Sequence, residues 1–162
     1  MKKIKIISCL VTLGIMILIF YFSSQDAVNS SEMSEGVTKR LIDFILSPSR
    51  LSAGEKHEIA EGIHGFIRKV AHFTIYAALG MSTFVSAKLH IQKKKTVIFA
   101  IAVGFCMLYA ISDEIHQISS AGRSCEIRDV LIDTAGAVTG ILFMLAVITV
   151  AKYIVNRRKG VV

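Results

Sequence analysis

Four apolar runs constrain this 162-residue chain more than any other feature. They cover about residues 4–22, 70–88, 96–117 and 130–154. At about 1.5 Å of helix rise per residue, each is long enough to cross a hydrocarbon core about 30 Å thick. Inside lipid a segment must satisfy its own backbone hydrogen bonds, so such runs become helices. The chain is 53% hydrophobic, with one Pro and no Trp, whereas a soluble domain is nearer about 45–50%. The reading is an all-α, polytopic membrane protein. It is a single domain over residues 1–162, with four transmembrane helices and an amphipathic helical loop over 23–69.

The first run has a cleaved signal peptide as its competing interpretation. A signal-peptide apolar region is usually about 7–15 residues with a small-x-small site behind it. Here the run is longer and ends in Phe20, Tyr21 and Phe22, so it reads as a retained span. Within the loop, Val37, Leu41, Phe44 and Ile45 repeat one helical face. After Pro48, Ser52 and Glu55 form a capping-box pattern, and Ile59, Ile63, Phe66 and Ile67 repeat the face again. Both pieces are too short and too charged to span, which suits the membrane interface or a cap on the bundle. Gly136 and Gly140 form a small-xxx-small pattern in the fourth run, expected to let helices approach closely.

Charge sets the expected orientation. With both termini cytoplasmic, that side holds Lys2, Lys3, Lys5, Lys88, Lys93, Lys94, Lys95, Lys152, Arg157, Arg158 and Lys159, and no carboxylate. The other side holds the remaining eight of 19 cations and all twelve carboxylates. This is the positive-inside pattern of a multi-pass protein of the plasma membrane. It accounts for the net charge of +7 without nucleic acid, and the expected partner is the lipid bilayer. The three cysteines include no C-x-x-C spacing, so neither a zinc motif nor a redox motif is signalled.

The same orientation gathers ionisable and polar groups at the outer ends of the spans. Asp113, Glu114, His116 and Gln117 end the third run, and Arg68, Lys69 and His72 enter the second. Arg128, Asp129 and Asp133 open the fourth, Ser24 and Gln25 follow the first, and Arg123 lies in the turn at 119–126. Helical spacing puts Asp113, His116 and Gln117 on one face, and Arg68, His72 and Tyr76 on another. Ionisable groups at membrane depth are costly and their default reading is functional. A histidine held by a carboxylate suits proton transfer, and arginines suit anion binding. The candidate catalytic residues are therefore His72, Asp113, Glu114, His116, Asp129 and Asp133. The candidate substrate-binding residues are Arg68, Gln117, Arg123, Arg128, Ser24 and Gln25. A structural network, with Arg68, Arg123 and Arg128 pairing Asp113, Asp129 and Asp133, stands beside this reading. So does a metal site using His72, His116 and two carboxylates. Glu114-Ile115-His116 is one residue short of Glu-x-x-His, however, and the expectation is no metal and no cofactor.

Several motifs in order resemble the VanZ-like family of bacterial membrane proteins. They are Phe22 to Gln25, Arg68 to Phe73, Tyr76 with Leu79 and Gly80, Ser112 to Gln117, Gly122 with Arg123, and Asp129 to Asp133 with Gly136. The resemblance covers about residues 5–150. The family usually has an aromatic or apolar residue and Pro before Gly-Arg, where this chain has Ser119, Ser120 and Ala121. The resemblance implies a cell-envelope protein linked to glycopeptide resistance, teicoplanin above all. Its outward polar pocket would bind or act on an envelope lipid or glycan precursor, or on the lipoglycopeptide itself. It does not establish catalysis. A non-enzymatic scaffold or accessory subunit is the alternative function. A small proton-coupled transporter is weaker, because the middles of the spans are apolar. Neither substrate nor oligomeric state is legible.

The orientation is open to direct measurement. In intact cells an impermeant thiol reagent should label Cys125 in a chain whose Cys9 and Cys106 are replaced by serine. Labelling that requires permeabilisation reverses the topology.

Overall fold

The computed structural model describes residues 2–24, 36, 40, 53–117 and 126–159. Among them stand four helices, α1 (Lys2–Ser23), α2 (Ala53–His90), α3 (Lys95–Gln117) and α4 (Ile127–Arg158), with no strand among the described residues. All four are long and apolar enough to cross a membrane. The amphipathic piece built on Val37, Leu41, Phe44 and Ile45 lies outside the described residues, as do Gln25, Arg123 and Cys125.

One element differs from expectation. The helix expected after Ser52 is not a separate surface piece but runs unbroken into the second span. The result is a 38-residue α2, of which the stretch Gly65–His90 carries the apolar character. No Pro stands between Ala53 and His90, and once a helix is nucleated, propagation adds a hydrogen bond for each residue fixed. At about 1.5 Å per residue α2 is about 57 Å long, well beyond a hydrocarbon core. Its N-terminal part therefore projects past the bundle's apolar band.

The connections follow from local chemistry. α2 closes with Ile91 N–H donating to the Ala87 carbonyl at 2.8 Å. The Lys93–Lys95 run then breaks the apolar pattern, and Val97 and Ile98 N–H groups donate to Lys94 O as α3 starts. α4 carries Asp129 in its first turn and Arg157 and Arg158 in its last, each sign complementing the helix dipole.

The bundle is apolar outside. α1 turns Ile4, Ile6, Ile7, Leu10, Leu13 and Ile17 outward, each more than half exposed. Its interior mixes small and polar residues with a few large ones. One cluster joins Ile19, Tyr76, Leu79, Cys106, Ala110 and Ala137, and a second joins Phe84, Ile98, Ala102 and Ile141. Several helical threonines satisfy their hydroxyls by donating to the carbonyl one turn back, as Thr12 does to Ser8 and Thr139 to Ala135.

α2 is the central helix and packs most extensively on α4. These two run parallel, while α1 and α3 run the other way. Cys9 of α1 meets His90 of α2 at one end, and Ser24 at the end of α1 meets His116 of α3 at the other. Glycines make the α2–α4 contact. A Cβ on Gly80 would collide with the Ala137 backbone, one on Gly136 with Phe73, and one on Gly140 with Ala77. The close approach expected of Gly136 and Gly140 is thus made against α2.

Valine at position 140 should therefore force α2 and α4 apart. Gly140→Val is expected to lower the stability of the detergent-purified protein by about 1–3 kcal/mol, the range for overpacking, read as a lower thermal midpoint by size-exclusion assay. Gly104→Ala, whose added Cβ meets nothing within 4 Å, should leave the midpoint unchanged or raise it.

Candidate functional site

The end of the bundle holding the ends of α1 and α3 and the start of α4 collects the buried polar residues. Asp113, Glu114, Gln117 and Asp133 are each no more than 4% exposed, and Ser23 is fully buried. The opposite end carries the lysines, with Lys88 of α2 close to Lys95 of α3 and Lys152 of α4.

The floor of the site is a triad drawn from three helices. His72 comes from α2, Asp113 from the last turns of α3 and Asp133 from the first turns of α4. One side-chain donor atom from each lies within 4.8 Å of the others. His72 Nδ1 stands 3.7 Å from Asp133 Oδ1. Gln117 Nε2 donates to Asp113 Oδ2 at 3.2 Å, and the Ser23 and Tyr76 hydroxyls lie beside the same carboxyl. Among the described residues, Asp113 Oδ1 and both oxygens of Asp133 have no hydrogen-bond partner.

Above the floor is an open cleft lined by Arg68, Lys69, His72, Asp129, Ile132 and Asp133. Lys69 Nζ donates to Asp129 Oδ1 at 3.0 Å and lies 4.0 Å from Glu126. The cleft thus has a charged, half-exposed mouth and buried aspartates at its floor. Arg68 is half-buried at this mouth. Among the described residues neither Arg68 nor Arg128 pairs with Asp113, Asp129 or Asp133, and Arg123, the third arginine of the expected network, lies outside them. Lys69 and His72 are the partners, because they lie on the α2 face that meets α4.

Two of the expected catalytic residues do different work. Glu114 turns away from the triad, and its Oε2 accepts the Glu126 backbone N–H at 3.0 Å. It thereby ties the end of α3 to the start of α4, where helix N–H groups lack internal partners. His116 faces α1, with Nε2 3.1 Å from Ser24 Oγ and its ring stacked on Phe20 at a centroid distance of 4.5 Å. The expectation that Asp113, His116 and Gln117 share one face was too coarse. At about 100° per residue, Gln117 lies about 40° to one side of Asp113 and His116 about 60° to the other. The floor takes one flank and α1 the other.

Ser24 is engaged with His116 rather than with the cleft, and Arg128 is exposed and absent from the cleft lining. The candidate catalytic and binding sets leave out Lys69, Tyr76 and Ser23, although Lys69 is counted among the outer-end charges and Tyr76 is placed on the face of Arg68 and His72. Tyr76 was detectable, since it follows His72 by one helical turn. Ser23 was not, because a serine at a helix end has many bland explanations.

A protein-family model described as VanZ/LLP1 matches residues 8–149. No curated protein and no solved structure matches the chain.

The Lys69–Asp129 pair has side chains 34% and 22% exposed. A double-mutant cycle with Lys69→Met and Asp129→Asn should give a coupling energy of no more than about 1 kcal/mol, as for other solvent-screened pairs. A much larger coupling would mean that the cleft mouth is closed to water.

Proposed function

The chain belongs to the VanZ-like family, matched over residues 8–149, and we propose that it acts at the outer face of the bacterial plasma membrane on an anionic, lipid-bearing envelope molecule. Both termini face the cytoplasm in this reading, and the lysine-rich end is the inner end. The cleft then opens outward. Its ligand is a lipid-linked glycan precursor or the lipoglycopeptide teicoplanin, and the outcome is reduced susceptibility to that drug.

The observation that carries the reading is the cleft itself. Arg68 and Lys69 stand at its mouth over a half-buried His72 and a buried Asp133, beside the lipid-facing surface of α2 and α4. A cation-rimmed opening at the edge of an apolar bundle suits a molecule with an anionic head and an apolar tail. His72 is the residue placed to move a proton between the buried aspartates and a bound head group.

A structural reading of the polar cluster is supported for part of it. Glu114 and His116 are committed to helix-to-helix contacts. They are accordingly assigned to holding α3 against α4 and α1, and His72, Asp113 and Asp133 to the ligand.

Growth inhibition by teicoplanin and by vancomycin in a susceptible Gram-positive host tests this assignment, with membrane abundance matched by blot. Wild-type protein should protect against teicoplanin, His72→Gln should remove the protection, and His116→Gln should reduce abundance while leaving protection per molecule. Growth no better than with an empty vector would end the resistance reading for this chain.

A further inference from the structure

We propose that His72, Asp113 and Asp133 form a binding site for one divalent transition-metal cation, of the zinc or manganese type. The proposal does not depend on which envelope molecule enters the cleft. It also departs from the expectation of no metal, which weighed a site containing both His72 and His116. The structure removes His116 from the set and identifies the two carboxylates beside His72 as Asp113 and Asp133.

The spacing supports a shared ion. Donors bound to one ion at about 2.0–2.2 Å stand about 3–4 Å apart. His72 Nδ1 and Asp133 Oδ1 are 3.7 Å apart, too far for a hydrogen bond and within ligand-to-ligand range. The three donors lie within 4.8 Å of one another, so a shift of about 1 Å, within reach of small side-chain rotations, closes the set.

The second observation is independent of spacing. Asp133 is 1% exposed, and neither of its oxygens has a hydrogen-bond partner among the described residues. Asp113 is 4% exposed, and its Oδ1 is likewise unpartnered. Buried carboxylates without partners are costly. A divalent cation supplies a partner for these oxygens, and its charge balances two carboxylates with a neutral imidazole.

Donor chemistry narrows the ion. One nitrogen and two carboxylates suit zinc or manganese, whereas calcium and magnesium sites are built from oxygen alone and in greater number. Gln117 already holds Asp113 Oδ2 at 3.2 Å, which orients the carboxyl and leaves Oδ1 for the ion. Three protein ligands beside an open cleft leave a coordination position for water or for an anionic ligand, the arrangement of reactive rather than purely structural sites.

Metal titration of the full-length, chelator-treated protein in detergent provides the test, with Co2+ as a spectroscopic probe and Zn2+ as competitor. The wild-type chain should bind one Co2+ with visible d–d absorption, lose that absorption on adding Zn2+, and melt at a higher temperature with either ion. Asp133→Asn and His72→Gln should each weaken binding by more than about 10-fold, with helicity checked by circular dichroism. His90→Gln, at the other end of α2, should bind as wild type. Absence of stoichiometric binding of both ions to the wild type would overturn the proposal, whether or not the variants fold. So would variants that fold and bind as tightly as wild type, since the aspartates would then carry protons rather than an ion.

Discussion

The arrangement depends on the contact between two parallel helices, α2 and α4, whose backbones touch. Gly80, Gly136 and Gly140 permit it, because any side chain at those positions would meet the backbone of Ala137, Phe73 or Ala77. In lipid there is little hydrophobic drive between helices, so close packing of small residues takes its place. The contact also sets register. Along one interface, Lys69 meets Asp129, His72 meets Asp133, Phe73 meets Gly136 and Ala77 meets Gly140. The glycine seam and the polar site are consecutive parts of one surface, and the seam aligns the site.

Around that seam the protein reverses the distribution of a soluble domain. Its large aliphatic side chains face outward from α1, α3 and α4, while serine, threonine, glutamine and aspartate are drawn inward. A polar group facing hydrocarbon lacks a partner, whereas one facing the bundle interior can find one. Some of these inward groups are paired locally, as Gln117 is with Asp113 and Tyr109 with the Met16 carbonyl at 2.7 Å. Of those left over, Asp113 Oδ1 and both oxygens of Asp133 stand together, while Thr83 lies further along α2 beside Cys106. That concentration separates a site from a general polar interior.

Glu114 and His116 show how two neighbours in sequence can leave the chemistry to a third. Asp113 faces the floor, Glu114 reaches the backbone of Glu126, and His116 stacks on Phe20. The run Asp113 to Gln117 looks like one functional motif in the chain. In the bundle it serves three helices, because consecutive helical residues point in directions about 100° apart. Motif density near a helix end therefore marks a place of convergence without saying which residue faces which neighbour.

Length and composition alone determined that the chain is helical, that four segments are apolar enough to span, and that polar groups concentrate at one set of span ends. Those properties follow from the cost of an unsatisfied backbone in lipid and from where ionisable residues fall along the chain. His72, Asp113 and Asp133 could be named as candidates for the same reason. Tertiary structure decided their grouping. Periodicity orders residues around one helix but does not say how that helix is rotated against its neighbours. Only the glycine contact, by setting the register of α2 on α4, brings His72 to Asp133 and Lys69 to Asp129. The unbroken length of α2 was likewise settled in three dimensions. A charged amphipathic stretch and an apolar one read as separate elements by composition, yet no breaker lies between them to end the hydrogen-bonded ladder.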